Sequence, residues 1–596
     1  MPSIQYYSSP QNPSERRINF WDLVALFSII ALISGLAWGA KQMAAPYAVG
    51  EVLPISLATS YLPSYALLTV LRMFIALFFS LIFTLIIGTL AAKSRRAEQW
   101  IIPAIDILQS VPVLSFLSIT VVGFIRFFPG SLLGPECACI FAIFTAQVWN
   151  MVFGFYQSLK MLPANLKDAA EVFQLSFWQK FWRIEVPFAL PGLLWNMMMS
   201  VSASWFFVVL SEAISVSNQS IHLPGLGSYI AVAIEHSNTQ AIFYAICMML
   251  AVIFIYDQCL FRPLMKWSEK FRMEGALEDT LYSSWLFNLL QKTRFLYYVR
   301  DFFTWLTDYF VNFRLFIILH QQWPMLKTKW QKQYKEGIKG KHQVNWSTIV
   351  WRVLTGVIIG SSVFVMIRFF WNIMSLEEML HVCFLGTLTS LRIIILIFLC
   401  SLVWIPVGVW IGMRPRLTSL AQPIIQFCAA FPANLIYPLV VITIVMFHLN
   451  VNIWLSPLMI LGTQWYILFN VIAGASQIPV DLWQVAENFG LKGVCWWKRL
   501  GFPAIFPYYV TGAITAAGGA WNASIVAEWV SWGQTTLKAD GLGTYIHQYT
   551  ESGDFSRVAL GTVIMCLFVL AFNSFFWRPL YSLAQNRFQM DRVAVK

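Results

Sequence analysis

Charge is what this chain lacks most. Only 11% of its 596 residues are Asp, Glu, Lys or Arg, against about 25% in an average soluble domain, so a water-facing surface all round is excluded. The seven histidines are dispersed, and no cluster of acids and histidines gathers at one level as a catalytic centre would require. The nine cysteines are scattered through apolar stretches, apart from Cys137 and Cys139, and no Cys/His group has zinc-site spacing. They read as small hydrophobic packing residues. A phosphate-cradling G-x-x-x-x-G-K-[ST] loop is missing too. The nearest approach, Gly337-Ile338-Lys339-Gly340-Lys341-His342, has the wrong spacing and the wrong last residue. Neither a metal site, nor a catalytic site, nor ATP bound by the chain itself is expected.

What is present is length in apolar runs. Hydrophobic residues make up 58% of the chain and the mean hydropathy is +0.65. Residues 20–40, 65–92 and 385–413 are each long enough to cross a hydrocarbon core as helix, which takes roughly 20 residues. Lipid-embedded backbone must satisfy its own hydrogen bonds, leaving helices or closed barrels. The runs are continuous rather than alternating, so the expected fold class is all-α and polytopic. The first run is too long for a cleavable signal peptide and is expected to span. The net charge of +12 is unevenly placed. Lys and Arg crowd one alternate set of loops, among them Arg16 and Arg17, Lys93 to Arg96, Lys160 to Arg183, the stretch 266–341, Arg414 and Arg416, Lys492 to Arg499, and the C-terminal Arg578 to Lys596. That is the positive-inside pattern, which places both termini in the cytoplasm. It argues for membrane lipid, not nucleic acid, as the surrounding partner.

The chain also repeats itself. A shift of 320 positions pairs Thr69 with Thr389, Arg72 with Arg392, Gly88 with Gly408 and Pro112 with Pro432. After a loop four residues shorter in the second half, a shift of 316 pairs Trp149 with Trp465, Pro187 with Pro503, Trp205 with Trp521 and Glu212 with Glu528. It continues through Gly225-Leu226-Gly227 with Gly541-Leu542-Gly543, and Arg262-Pro263-Leu264 with Arg578-Pro579-Leu580. Register held this long on Trp, Pro and Gly marks a tandem duplication. About twelve transmembrane helices are expected, near 20–40, 65–92, 101–127, 134–159, 188–211 and 238–261, then 348–372, 385–413, 419–447, 452–475, 504–527 and 556–577. An even number per half makes the repeats parallel, related by an axis along the membrane normal. The expected domains are a first half (1–264), a basic, aromatic, amphipathic linker (265–345) lying in the cytosol or at the interface, and a second half (346–596).

One loop in each half, 160–187 and 476–503, has a common design. The first carries Asp168, Ala169, Ala170, Glu171 and Gln174 ahead of Pro187; the second carries Gln484, Val485, Ala486, Glu487 and Gly490 ahead of Pro503. Both resemble the EAA loop of bacterial ABC importer permeases, with an acid, two alanines, a glycine six positions after the acid and a proline thirteen beyond that. Gln174 replaces the glycine in the first copy, Asp168 and Gln484 replace the glutamate, and equality of the two loops is not implied. Small side chains suit close approach to another backbone, glycine ends a short helix, and proline opens the next span. Thr69-Val70-Leu71-Arg72 with Gly88, Thr389-Ser390-Leu391-Arg392 with Gly408, and both Gly-Leu-Gly runs are similar to the nitrate, sulfonate, taurine and bicarbonate branch of these permeases in a duplicated, fused form. The resemblance implies a bacterial inner-membrane transport subunit, not an enzyme, that moves a small anion inward. It also implies two copies of an ABC ATPase carrying ATP and Mg, and a periplasmic or lipid-anchored solute-binding protein. A gradient-driven secondary transporter is the rival, with no reason to carry two such loops.

Ionisable and aromatic residues inside spans are the candidates for a pathway. Arg72 and Arg392 would form a positive site for an oxyanion, or else clamp carbonyls or a neighbouring helix end. Glu212 and Glu528 would serve a gate, or tie down the Gly-Leu-Gly run. Trp205 and Trp521 would contact substrate or simply pack. Gln109 stands before Pro112, where the second half has Ala429.

Overall fold

The computed structural model describes residues 20–47, 53–216, 219–271, 375–476, 478 and 480–588, with isolated positions between 285 and 368. The expected linker falls outside the described residues except for 265–271 and a few positions; so does most of the expected helix 348–372. Two compact units are distinguished. The smaller comprises Met1–Gln42, Leu162–Pro191 and Asp257–Lys339; the larger comprises Met43–Met161, Gly192–Tyr256 and Gly340–Lys596.

The first half runs α1 (Phe20–Met43), α2 (Leu62–Lys93), α3 (Arg95–Ser110), α4 (Val113–Phe127), α5 (Leu133–Lys160), α6 (Ala164–Val172), α7 (Val186–Glu212), α8 (Leu226–Glu235) and α9 (Thr239–Tyr256). The second half runs α10 (Leu376–Gly412), α11 (Pro415–Ala430), α12 (Tyr437–Met446), α13 (Gln464–Ser476), α14 (Val480–Asn488), α15 (Phe502–Ala527), α16 (Leu542–Ser552) and α17 (Phe555–Phe572). Among the described residues, eight helices are long and apolar enough to cross a membrane, or ten if each of two bent pairs is one span.

Three expectations need correction. The span expected at 101–127 is two helices, and its counterpart at 419–447 is bent by 73°. The cause is the paired proline. A residue before proline is pushed out of the helical region, and both Val111 (φ −74°, ψ 122°) and Phe431 (φ −68°, ψ 125°) are extended. The span expected at 452–475 is bent by 45°, whereas α5 runs unbroken. Pro457 and Gly462 interrupt it where the first half has Phe141 and Ala146. The fold is also not purely helical. α7 and α15 each lead into an antiparallel hairpin, β1 (Ala213–Val216) with β2 (Gln219–His222), and β3 (Trp529–Trp532) with β4 (Thr535–Lys538).

The duplication extends to irregularities. Wide π-type turns occupy Phe181–Glu185 and Trp497–Gly501, and again Asp257–Phe261 and Asn573–Trp577. Each lies just before a proline: Pro187, Pro503, Pro263 or Pro579. A proline ring clashes with the carbonyl four residues back, and widening the preceding turn relieves that clash while the helix continues. In the larger unit α2 packs on α5 and α10 on α13, with α13 against α15. Gly88 and Gly408 set the approach. A Cβ on Gly88 would lie 2.8 Å from the Phe155 ring, and one on Gly408 2.7 Å from Val471. Small residues at such crossings supply the close backbone packing that holds helices together in lipid. Gly88→Leu should therefore destabilise the α2–α5 pair by on the order of 2 kcal/mol. The check is a lower midpoint in thermal unfolding of the detergent-purified chain; an unchanged midpoint would refute the close crossing.

Candidate functional site: loop helices, buried clasps and an interior cavity

The loop helices α6 and α14 are each nine residues long and end alike. Leu175 N–H donates to Ala170 C=O (3.0 Å) and Gln174 N–H to Glu171 C=O (3.0 Å); Leu491 donates to Ala486 and Gly490 to Glu487, both at 2.9 Å. This is the Schellman closure, whose hinge residue is left-handed. Gly490 adopts it at φ 60° without penalty, while Gln174 is held there at φ 48° despite its Cβ. The first loop has a compensating feature. Ser176 and Gln179 form a reciprocal capping box on the next short helix, where Lys492 provides no side-chain cap.

Ala170 and Ala486 turn inward, 2% and 4% exposed. Both are the residues whose carbonyls close the helix end, Ala170 accepting from Leu175 N–H and Ala486 from Leu491 N–H. Ala169 is half-buried, whereas Asp168, Glu171, Gln174, Gln484, Val485, Glu487 and Gly490 are exposed. So are Phe173 and Phe489, at 65% and 78%. They occupy the same position in the two loops.

Arg72, for which an oxyanion site and a clamp on neighbouring groups were both open, is fully buried and holds two carboxylates. Its Nε and Nη2 donate to Glu136 at 2.6 Å each, Nη1 donates to Glu212 at 2.6 Å, and Nη2 also reaches Pro224 C=O at 3.0 Å. Glu212 accepts further from the Thr69 hydroxyl (2.7 Å) and Gly227 N–H (2.7 Å), and Leu226 N–H donates to that same hydroxyl oxygen (3.0 Å). The clasp thus joins α2, α5, the end of α7 and the start of α8. The second clasp repeats the plan. Glu528 accepts from Thr389 (2.8 Å), Gly543 N–H (2.7 Å) and Arg392 (3.2 Å).

The Gly-Leu-Gly runs follow from this geometry. A Cβ on Gly225 or Gly541 would sit 2.4 or 2.2 Å from the carboxylate, and one on Gly227 or Gly543 2.2 or 2.3 Å from a helix carbonyl. The clasps differ at two positions. Asn452 replaces Glu136, and Asp540 enters where the first half has Pro224, with Arg392 donating to Asn452 Oδ1 (3.2 Å) and Asp540 C=O (2.8 Å). Glu136 was legible as the one charge in residues 133–159, but its register partner is an amide, so the repeat did not flag it.

A cavity of about 300 Å³ lies in the larger unit. One wall is α7, through Trp195, Met199, Ser202, Ala203, Phe206 and Phe207; the other is α15, through Thr511, Thr515, Gly518, Gly519, Asn522 and Ala523. These are the same six positions under the shift of 316. They lie in the central and C-terminal turns of helices of 27 and 26 residues. Gln109 lines the cavity, and its Nε2 donates to Asn150 Oδ1 at 3.1 Å. Asn522 Oδ1 accepts the Val113 N–H (2.8 Å), freed where Pro112 breaks the chain, and so joins the halves. Among the described residues the lining holds no Asp, Glu, Lys, Arg or His. Arg72, Arg392, Glu212 and Glu528 are not part of it. Trp205 and Trp521 are also outside, 1% and 2% exposed in the packed interior, with Trp205 edge-on to Tyr256 at 5.6 Å.

Two outcomes follow. Glu528→Gln should cost on the order of 2 to 3 kcal/mol, because Arg392 loses its carboxylate partner. Glu212→Gln should cost less, because Arg72 keeps Glu136; unfolding midpoints of the two variants give the order, and its reversal would refute the charge assignment. Gln174→Gly should stabilise the first loop by about 1 kcal/mol, read as slower amide hydrogen exchange at 170–175.

A family model described as binding-protein-dependent transport system inner membrane component matches residues 84–258 and again 404–578, more than half of the chain. Among similar proteins, the putative aliphatic sulfonates transport permease protein SsuC of Bacillus subtilis is 25% identical over 31% of this chain and 63% of its own. The bicarbonate transport system permease protein CmpB of Synechocystis is 31% identical over 27% and 55% respectively. The nitrate import permease protein NrtB of Leptolyngbya laminosa is 26% identical over 31% and 62%. The chain thus spans somewhat over half the length of these curated relatives. It belongs to the family of binding-protein-dependent transport system inner membrane components, as a multi-pass, non-catalytic ABC permease subunit with its domain carried twice.

Proposed function

We propose that the chain is the membrane subunit of an ATP-driven importer whose halves, 1–264 and 346–596, form twelve spans in two parallel repeats around one pathway. Both termini, the linker 265–345 and both loop helices face the cytoplasm. Two copies of an ABC ATPase grip α6 and α14, and ATP and Mg remain on those subunits. A periplasmic or lipid-anchored solute-binding protein delivers the cargo from outside. Closure of the ATPases on ATP pulls on the loops and rocks the halves between two open states, so loading outside and hydrolysis inside are reciprocally coupled. The cargo class carried over from the relatives' names is a small anion.

The observation that carries this reading is the paired loop. Two nine-residue helices with the same Schellman closure each leave a phenylalanine uncovered at the same position. Each has an exposed apolar neighbour on its own loop, Val172 beside Phe173 and Val485 one turn before Phe489, and it is such grouped apolar exposure that marks an interaction surface. Around it lie Asp168, Glu171 and Gln174 in one copy and Gln484, Glu487 and Gly490 in the other, a polar rim suited to a groove on a second protein. Arg72 is buried and paired with two carboxylates, and the part-exposed Arg392 is paired with Glu528, so cargo is assigned to the cavity between α7 and α15 instead.

Phe173→Asp combined with Phe489→Asp should abolish copurification of the cognate ATPase and lower vanadate-sensitive uptake at least tenfold, with the chain still monodisperse in detergent. Undiminished copurification would refute the docking assignment. Uptake that ignores vanadate and collapses with the ion gradient would favour the secondary-transporter reading instead.

A further inference from the structure

The hairpins that follow α7 and α15 reach across to the opposite half. Within the larger unit, β1 packs against α16 and β3 against α8. The crossing is most specific at the β3–β4 turn. Trp532 pairs with Thr535, which leaves Gly533 and Gln534 as a two-residue turn. Gly533 is left-handed there, at φ 55°, as the first residue of such turns favours. Its N–H donates to Ile234 C=O at the end of α8, at 3.0 Å. A Cβ on Gly533 would fall on the Ser237 hydroxyl and lie 3.6 Å from Ser237 Cβ.

This seat is made to be left. The end of α8 closes without the turn: Ser237 N–H donates to Ile234 C=O (3.0 Å) and Asn238 N–H to Ala233 C=O (2.9 Å), the same Schellman pattern as on the loop helices. A carbonyl has two lone pairs, so Ile234 keeps one donor when the turn departs, while Gly533 N–H passes to water. No buried group is orphaned, and one hydrogen bond exchanged for water biases the contact by only about fivefold. The closure also carries a residue that its own stability does not favour. Its hinge, Ser237, is left-handed at φ 51° in spite of its Cβ, where the second half has Gly553 at φ 75°. What the serine adds is the hydroxyl against which the turn rests.

The hairpins stand at one end of the cavity. Its lining residues Phe207 and Ala523 precede β1 and β3 by roughly two helical turns. Ile221 of β2 joins Phe207 in one apolar cluster, and Phe555 of α17 packs against that cluster from the second half. α15 runs from the loop of α14 to β3, so in the importer reading this end faces the side from which cargo arrives. We propose that the β3–β4 turn is a latch. Seated on the end of α8, it holds the halves together at the cavity's delivery end, and it leaves Ile234 and Ser237 each time the transporter opens to that side. The latch rests on the importer reading and on the side which that reading gives the hairpins.

The test uses the whole transporter, purified with its ATPase and placed in lipid nanodiscs. A Cβ separation of 3.6 Å suits a disulfide. Ser237→Cys combined with Gly533→Cys should therefore cross-link under oxidant in the resting complex, read by mass spectrometry of the joined peptides. With ATP and vanadate the rate of cross-linking should fall at least fivefold. The locked chain should hydrolyse ATP at least tenfold more slowly, and reductant should restore it; the unaltered chain under the same oxidant should keep its usual rate. Because a side chain at φ 55° strains the turn, the unaltered chain supplies a second reading. Its Gly533 amide should be protected from hydrogen exchange at rest and exchange at least tenfold faster with ATP and vanadate. Should the cysteine pair fail to fold, exchange decides alone. Rapid Gly533 exchange at rest would refute the contact. Cross-linking or exchange that ignores ATP and vanadate, or a locked chain that hydrolyses at full rate, would overturn the latch. Failure of the wild-type chain to copurify with an ATPase is a different result and sinks the importer reading; a copurifying, ATP-hydrolysing complex whose turn does not respond sinks only this inference.

Discussion

A carboxylate buried at the end of α7 and another at the end of α15 are the constraint around which both halves are organised. A charge so placed costs several kcal/mol unless its oxygens are filled, and Glu212 and Glu528 are fully buried. Each is filled from three directions: a threonine hydroxyl and an arginine on the second span, and a backbone N–H from the start of the helix after the hairpin. The requirement explains why Thr, Arg, Glu and Gly-Leu-Gly recur together at distant points of the chain. They are one structure, and each residue fills a vacancy that another creates.

The halves have then diverged where the constraint is loose. The second clasp exchanges a carboxylate for Asn452 and brings in Asp540, so its charge is arranged differently around the same Glu–Arg–Thr contact. The loops exchange advantages in a similar way, with glycine at the left-handed hinge of one and a side-chain cap in the other. The cavity walls have diverged furthest. Closure of a helix end or a buried ion pair tolerates few residue types, whereas a surface that faces open space is limited only by what must fit there.

Much of the architecture was legible in the residues. Uncharged runs identified the spans, the two shifts identified the duplication, and Gly490 announced a left-handed helix end. Glu212 and Glu528 were legible as ties for the Gly-Leu-Gly run, one of two roles open to them. The arginines were legible only as alternatives, because a lone guanidinium in an apolar helix looks alike whether it awaits a ligand or already holds one. Glu136, the deciding partner, lies 64 residues away on another helix. Of the cavity lining only Gln109 was singled out, because identity between the halves drew attention to matched residues such as Trp205 and Trp521, which are buried, while the matched positions carrying different residues face the space between α7 and α15.

By itself the sequence determined that the chain crosses a membrane, that it does so twice over on one plan, and that it ends two polar loops with the same closure. These depend on local composition and on spacing along the chain, which lipid and backbone geometry read directly. Tertiary structure decided which charges are satisfied, which alanines turn inward, where Pro112 and Pro432 break a span, and which faces of α7 and α15 enclose the cavity. Those outcomes depend on what stands opposite a side chain in space. In a helical bundle that neighbour comes from a distant segment whose rotation only packing decides.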